Sequence, residues 1–382
     1  MGECFTERVE SMPDGELISV TINDGIRKFS ELGRHDNSND DKSKYKKVCV
    51  GDIAYNSMRM WQGASGYSPY VGIVSPAYTV LSPNSGVNSK CLAYQFKLPG
   101  MIHTFQINSQ GITSDNWNLK YPALSEIKIF VSTDEEEQAK IAEYFENFDR
   151  LITFHQQKIT LLTKLKKAML EKMFPKKGTV IPEFRFNGFA NAWEPRKLGD
   201  IASSFEYGLN AVAKEYDGEN KYIRITDIDD NTHEFLTDNL TSPDIDLTGA
   251  DNYKLTEGDI LFARTGASVG KSYIYRNSDG LVYYAGFLIR AKTKEEYDAE
   301  FVFQNTLTDR YNKYIAVTSQ RSGQPGVNAQ EYAEFEIEVP KKEEQTKIGT
   351  YFRNIDYLIT LHQRKLDMLK KLKSACLSEM FI

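Results

Sequence analysis

The sequence predicts an α+β fold with two similar domains separated by a long antiparallel two-helix coiled coil, as a pseudo-two-fold internal repeat. The main observation is a segment of about 40 residues that occurs twice, at 135–174 and 342–381, with a constant offset of 207 and no gap. A second observation is the set of short or alternating apolar runs, typical of β-strands, that precede each copy. The predicted boundaries are a first domain at 1–134, a first helix at 135–174, a linker and second domain at 175–341, and a second helix at 342–382.

The bulk composition fits two domains of ordinary size. The chain has 382 residues, of which 41% are hydrophobic, and no apolar run reaches the ~18 residues of a membrane-spanning helix. The four cysteines are far apart and form no CxxC pair, which predicts reduced thiols in a cytoplasm and no zinc site. A net charge of −6 argues mildly against a nucleic-acid ligand, but an average charge does not exclude a local basic face.

The two domains share landmarks outside the repeated helices. Gly51-Asp52-Ile53 matches Gly258-Asp259-Ile260 at the same offset of 207, and Ser109-Gln110 matches Ser319-Gln320. Between these landmarks the two halves diverge strongly. Because binding residues concentrate in loops carried by a common scaffold, this pattern predicts one fold that presents two different surfaces.

Both repeats are predicted to be helices with apolar residues at alternating spacings of three and four, which is typical of coiled coils. The predicted seam contains Phe145, Phe148, Ile152, His155 and Ile159 in the first helix, and Phe352, Ile355, Ile359, His362 and Leu366 in the second. A second apolar row with Leu151, Leu161 and Leu165 widens the stripe enough to contact more than one neighbour. Ser132 or Thr133 is predicted to cap the first helix. We expect the two helices to pair with each other; the alternative is that each packs on its own domain.

The divergent loops are rich in side chains that read base edges in DNA. Arg pairs with guanine O6 and N7, and Asn or Gln pairs with adenine N6 and N7. The loops concerned are 56–62, 108–110 and 116–118 in the first half, and 264–271 and 319–324 in the second. Any single residue among them is more often an ordinary polar loop residue, so the indication is the enrichment in both halves.

Catalytic motifs are not supported by the spacing. The run from Thr265 to Ser272 resembles a phosphate-binding loop, but only three residues separate Gly266 from Gly270, and the motif needs four. Glu126-Ile127-Lys128 resembles part of a metal-dependent nuclease motif, but a surface strand accounts for it better. The sequence therefore predicts a protein that binds rather than catalyses, with no cofactor and no metal.

In order along the chain, these features resemble the specificity subunit of type I restriction–modification enzymes. The second domain opens with Pro182-Glu183-Phe184-Arg185-Phe186 and continues to Lys197-Leu198-Gly199-Asp200, and Gly258 to Arg264 is similar to the family's central strand. The repeated helices carry Glu-Glu-Gln-x-Lys-Ile, Phe-x-x-x-Asp and His-Gln-x-Lys. The resemblance covers essentially the whole chain.

The resemblance implies two target-recognition domains, each reading one half of a bipartite site in double-stranded DNA, with the helix pair setting the gap. It also implies that two copies of a methyltransferase subunit bind, and that a restriction subunit with ATP-driven translocation joins in some systems. The residues that it places in or near DNA-facing loops are Asn56, Arg59, Gln62, Gln110, Asn116, Arg264, Thr265, Lys271, Gln320 and Arg321.

One departure from the family pattern keeps an alternative open. Met1-Gly2-Glu3 aligns with Leu198-Gly199-Asp200, so the first half lacks a counterpart of 182–197. The alternative is a partial or inactive specificity subunit that acts as a methyltransferase-binding scaffold or a recombination cassette. A stand-alone nuclease or ATPase is a third and remote alternative, which would require turnover by the purified chain alone.

Overall fold

The computed structural model describes residues 1–22, 25–320 and 323–381, which form two compact units. Unit 1 contains Met1–His155 and the residues from Lys365 onwards; unit 2 contains Gln156–Arg364. Each long helix therefore contributes its first part to one unit and its last part to the other. In the described part of the chain, no helix combines the length and the apolar character needed to span a bilayer.

Unit 1 is built on a four-stranded antiparallel sheet with the strand order β1-β8-β5-β6. The pairs β2–β3 and β4–β7 complete the strands. The strands are β1 (Phe5–Glu7), β2 (Ile18–Thr21), β3 (Gly25–Lys28), β4 (Lys46–Val48), β5 (Ile53–Asn56), β6 (Ser65–Tyr67), β7 (Gly72–Val74) and β8 (Tyr78–Pro83). The helices that follow are α1 (Ser89–Gln95), α2 (Pro99–Ile107), α3 (Tyr121–Ser125) and the long α4 (Glu135–Met173).

Unit 2 repeats this plan with the order β10-β17-β14-β15, again antiparallel. Its strands are β9 (Glu194–Lys197), β10 (Ala202–Tyr207), β11 (Ala213–Glu215), β12 (Lys221–Ile223), β13 (Thr241–Pro243), β14 (Ile260–Ala263), β15 (Ser272–Ile274), β16 (Val282–Tyr284), β17 (Leu288–Thr293) and β18 (Glu336–Val339). Its helices are α5 (Leu198–Ile201), α6 (Ala299–Asn305), α7 (Asp309–Thr318), α8 (Ala329–Ala333) and the long α9 (Lys342–Met380). The β9–β18 pair has no counterpart among the described strands of unit 1.

The repeated Gly-Asp-Ile landmark forms the same turn in both units. Gly51 and Gly258 have φ of 96° and 85°, a left-handed conformation that favours glycine. The carboxylate of the following aspartate accepts a hydrogen bond from the backbone N–H three residues earlier, Asp52 from Cys49 at 2.7 Å and Asp259 from Thr256 at 2.9 Å. The landmark therefore fixes the entry of β5 and β14 into the two sheets.

A glutamine in each long helix ties that helix to its own unit. The side chain of Gln138 accepts a hydrogen bond from the backbone N–H of Asn88 (2.7 Å), the residue that caps α1. Gln345 does the same for Asp298 (2.9 Å), which caps α6. Both glutamines are buried, so each replaces water as the partner of a backbone group.

The first long helix is capped by Asp134, and the predicted cap at Ser132 or Thr133 was wrong. The Asp134 carboxylate accepts hydrogen bonds from the backbone N–H groups of Glu136 (2.8 Å) and Glu137 (3.4 Å). Aspartate is as good a cap as serine, and it stands next to the first helical residue.

The two long helices run antiparallel in both units. In unit 1, Phe145 stacks on Phe381 with ring centroids 6.1 Å apart, and Lys373 forms an ion pair with Asp149 at 2.5 Å. The equivalent contacts in unit 2 join Phe174 to Phe352 (5.8 Å) and Lys166 to Asp356 (2.6 Å). In each unit, the higher-numbered of the two residues in or just after α4 contacts the lower-numbered of the two residues in or just after α9, as expected for antiparallel helices. This confirms the predicted fold class: two similar α+β domains and an antiparallel pair of long helices.

Candidate DNA interface

Two of the predicted recognition residues of unit 2 directly follow a strand that ends at one edge of its sheet. Arg264 and Thr265 come directly after β14, next to Tyr207 at the end of β10 and Phe287 just before β17. The backbone N–H of Arg264 donates to the Phe287 carbonyl (3.1 Å), and the Arg264 carbonyl accepts from Val327 N–H (2.9 Å). A β-bridge joins Thr265 to Gly326. Arg264 and Thr265 therefore lie on a hydrogen-bonded frame that also holds the segment 324–327.

The Arg264 side chain is held by aromatic rings. Its guanidinium carbon lies 5.1 Å from the ring centroid of Tyr207 and 5.7 Å from that of Phe287, within the range of cation–π contacts. Its Nε is buried and has no hydrogen-bond partner among the described residues. Neither aromatic residue was predicted from the sequence. The only sequence signal was their position beside Gly208 and Gly286, where the two chain segments come close together.

Lys271, Gln320 and Arg321 have different surroundings. The Lys271 amine donates to the Ile228 carbonyl (2.9 Å) and forms an ion pair with Asp230, beside a cavity of about 520 Å³ that His233 and Ser268 also line. Gln320 is exposed just beyond α7. Arg321 lies outside the described residues. The phosphate-loop-like run around Lys271 is the turn between β14 and β15, and it does not begin a helix.

The corresponding edge of unit 1 carries a different set of side chains. Asn56 ends β5, and its side chain accepts a hydrogen bond from Met58 N–H (3.0 Å). Arg59 and Gln62 are exposed on the short turn that follows. Ser57, which occupies the position equivalent to Arg264, is buried and bonded to the Thr79 hydroxyl.

Two loops of unit 1 meet through a tryptophan pair. The Trp61 and Trp117 rings pack edge to face with centroids 5.2 Å apart. Gln110 exchanges two backbone hydrogen bonds with Asn118, and Asn116 is exposed in the same loop. The structure therefore brings the predicted residues at 56–62 and 110–116 to one surface.

Lys97 holds one of these loops through hydrogen bonds to the backbone. Its amine donates to the carbonyls of Gly63 (2.6 Å), at the end of the Trp61 turn, and Ile22 (3.1 Å). Burial, with added repulsion from Lys373, lowers the pKa of Lys97 to about 8. The loop is thus held by a lysine that is poorly solvated.

The predicted coiled-coil residues lie on the buried side of the long helices. Phe145, His155, Phe352, Ile355, Ile359 and Leu366 are buried, and Phe148, Ile152, Ile159 and His362 are half-buried. The second apolar row is more exposed. In unit 1 it leaves Leu151, Phe154, Met368 and Leu372 between 46% and 53% exposed, and in unit 2 Leu161, Leu165 and Leu358 between 38% and 60%. Leu151 is equivalent to Leu358, and Leu165 to Leu372, so the two units present matched apolar patches.

Among the described residues, no group of three or more His, Cys, Asp or Glu side chains is placed to bind a metal ion. The four cysteines carry free thiols, and burial raises the pKa of Cys91 to about 11, which disfavours its reactive thiolate form.

Comparison with known proteins gives a consistent result. A family model for the type I restriction modification DNA specificity domain matches residues 28–164 and again 191–371. The type I restriction enzyme MjaVIII specificity subunit of Methanocaldococcus jannaschii is 24% identical over 364 residues, which is 87% of this chain and 80% of that protein. The crystal structure of the type I restriction–modification S subunit from M. genitalium superposes with a TM-score of 0.69 at 14% identity, covering 100% of this chain and 94% of that one. The chain therefore belongs to the type I restriction–modification specificity subunits and carries two copies of the family's DNA specificity domain.

Proposed function

We propose that each unit reads one half of a bipartite site in double-stranded DNA, so that the chain sets the sequence specificity of a type I methyltransferase. The observation that carries this proposal is the pair of equivalent sheet edges. The frame is the same in both units, with matching strand order and turns, while the side chains at the edge differ. Two different readers on one frame fit a site with two unlike halves.

The residues proposed to face DNA in unit 1 are Asn56, Arg59, Gln62, Gln110 and Asn116. In unit 2 they are Arg264, Thr265 and Gln320, together with Arg321, for which the proposal rests on the sequence alone. Lys271 has the weakest support, because its amine is already bonded to Ile228 and Asp230. The chain contributes binding and no chemistry of its own.

The matched apolar patches on the long helices are proposed to dock two copies of the methyltransferase subunit. The patch of unit 1 contains Leu151, Phe154, Met368 and Leu372, and that of unit 2 contains Leu161, Leu165 and Leu358. Exposed apolar clusters on a monomer often mark protein–protein contacts. Because the two patches are equivalent in sequence, a single partner surface fits both. A restriction subunit would join this assembly where the system has one, and the complex would work in the cytoplasm.

Methylation of host DNA tests the proposal. The chain would be co-expressed with the methyltransferase subunit of its own system, and methylated bases would be mapped by single-molecule sequencing. We expect a split motif with a fixed gap of unspecified bases. A continuous motif, or methylation without sequence preference, would contradict the two-reader proposal.

One observation favours a second candidate, a scaffold that binds the methyltransferase but does not select DNA. The β9–β18 pair of unit 2 has no described counterpart in unit 1. Against this, unit 1 has its own aromatic core, in which Phe5, Phe96 and Phe105 are fully buried. A stable complex without any methylation would support the scaffold.

A further inference from the structure

We infer that Arg264 reads a guanine in the half-site of unit 2, and that Tyr207 and Phe287 are positioning residues that fix its guanidinium for this task. The inference rests on the proposed function and names the base that one reader selects. It also assigns roles to two aromatic residues that lie outside the predicted recognition set.

The first argument is that Arg264 lacks the carboxylate partner that several other arginines of unit 2 have. Arg224 pairs with Asp227, Arg276 with Glu300, and Arg290 with Asp259 and Glu206. For Arg264, the described residues provide two aromatic rings and no carboxylate within 4 Å. An arginine that is stacked but not ion-paired keeps its outer N–H donors available for an external acceptor.

The second argument is that the backbone beneath this cluster is held in place. Tyr207 is the last residue of β10, and its hydroxyl accepts a hydrogen bond from Ala329 N–H (3.3 Å). A Cβ at Gly208 would lie 2.2 Å from the Ala285 carbonyl oxygen, so only glycine permits this approach of the two segments. The backbone of Arg264 is bonded on both sides, to Phe287 and to Val327. The backbone positions that carry the two rings and the arginine are thus fixed, and the Tyr207 ring is also held through its hydroxyl.

The third argument is the chemistry of the available donors. A planar guanidinium presents two parallel N–H groups that match guanine O6 and N7, and this pairing is the commonest specific contact in the major groove. Stacking removes water from the two faces of the guanidinium and leaves the N–H donors at its edge available to a base. Phe287, which is 61% exposed, covers one face of the guanidinium and leaves its edge accessible.

Unit 1 supplies an internal control. Its equivalent of Arg264 is Ser57, which is buried and cannot reach a base. Variants at Arg264 should therefore alter one half of the motif and leave the half read by unit 1 unchanged.

The test uses the chain in complex with its methyltransferase subunit and duplex oligonucleotides that carry the motif found by methylation sequencing. Each guanine is replaced in turn by 7-deazaguanine, which lacks the N7 acceptor. We expect wild-type binding to weaken at one guanine by about 5- to 150-fold. Arg264→Ala should be insensitive to the same replacement, and methylation by this variant should tolerate other bases at that position.

Further variants separate the roles. Arg264→Lys keeps the charge but lacks the planar fork, so it should weaken the guanine preference without abolishing it, because lysine can also donate to guanine O6 and N7. Phe287→Leu should reduce the sensitivity of binding to 7-deazaguanine, and Phe287→Tyr, which keeps an aromatic ring, should retain the wild-type sensitivity. A residue with a merely structural role would not change this sensitivity.

Two results would overturn the inference. The first is wild-type binding that is insensitive to 7-deazaguanine at every position, which remains informative even if every Arg264 variant misfolds. The second is a guanine preference that Arg264→Ala retains in full, since another residue would then read that guanine. Absence of any split motif would instead remove the proposed function, and this inference with it.

Discussion

Single residues show how one frame carries two different surfaces. Asp52 and Asp259 form the same turn, while Ser57 and Arg264, five residues later in each unit, differ completely in size and charge. The turn is set by a local hydrogen bond that the sequence reveals through its repetition. The side chain at the next edge position is free to vary, because it lies at the end of the strand, where the shared frame does not depend on it.

Lys97 gives a prediction about pH. Its pKa of about 8 in the folded chain is below the ~10.4 of a lysine in an unfolded chain. Between these values the unfolded chain holds the proton and the folded chain has lost it, so the stability of unit 1 should rise as pH increases through this window. We expect a rise of about 1 kcal/mol between pH 7 and pH 9.5 after allowing for partial exposure.

Lys97→Met keeps the aliphatic stem and removes the charge, so this contribution to the rise should disappear. Urea unfolding at both pH values can be followed by Trp61 and Trp117 fluorescence in a Trp193→Phe background, which removes the reporter of unit 2. The same pH dependence with and without Lys97 would show that the lysine does not titrate in this way.

At the scale of elements, the two long helices contain a pair of equivalent ion pairs that differ in burial. Lys166 and Asp356 are 13% and 15% exposed, and the carboxylate also accepts from the Gln304 side chain (3.0 Å). Lys373 and Asp149 are 20% and 46% exposed. Because losing one partner of a buried pair leaves a charge poorly solvated, Asp356→Ala should destabilise unit 2 by about 2 kcal/mol. Asp149→Ala should cost unit 1 about 1 kcal/mol or less.

Denaturant titration of the two variants, with Trp193 reporting on unit 2, measures this difference. The double variant Lys166→Met/Asp356→Leu provides a control, because it removes both charges and should recover most of the loss. Equal costs at Asp149 and Asp356 would contradict the dependence on burial.

The glutamine that ties each long helix to its unit gives a third prediction. Gln345→Leu leaves the buried backbone groups of Asp298 and Pro340 without the partner that they have in the native chain. We expect a loss of about 2 kcal/mol in the unfolding free energy of unit 2, because a buried group without a hydrogen bond keeps its full desolvation cost. Gln157→Leu, at an exposed position of the other long helix, is the matched control in a denaturant titration. A loss of equal size there would argue against this role of Gln345.

The sequence predicted elements better than contacts. The helices were predicted at 135–174 and 342–382 and are found at Glu135–Met173 and Lys342–Met380, because a 3/4 apolar spacing sustained over 40 residues is typical of long helices. The contact of Arg264 with Tyr207 and Phe287 was not predictable, since these residues come from three separate strand ends and follow no periodic pattern. The contacts of the Lys271 amine were not predicted for the same reason, because its partner Asp230 is in a loop about 40 residues away.

At the scale of the whole molecule, the matched apolar patches predict how many partner subunits bind. Leu151→Glu/Leu372→Glu should remove one copy of the methyltransferase subunit, Leu165→Glu/Leu358→Glu the other, and the combined variant both. Native mass spectrometry of the co-purified complex would count the copies. Thr153→Glu and Gln157→Glu, at exposed polar positions on the same helix, are matched controls that should leave both copies bound. Unchanged stoichiometry in the combined variant would place docking elsewhere.

The claim that two independent readers share one chain is tested most directly by exchanging one of them. Residues 182–341, which include both β9 and β18, would be replaced by the corresponding residues of a related specificity subunit. Methylated DNA would be mapped for the parent and the exchanged chain with the same methyltransferase subunit. We predict that one half of the split motif changes, while the other half stays the same. A change in both halves, or in neither, would contradict the claim.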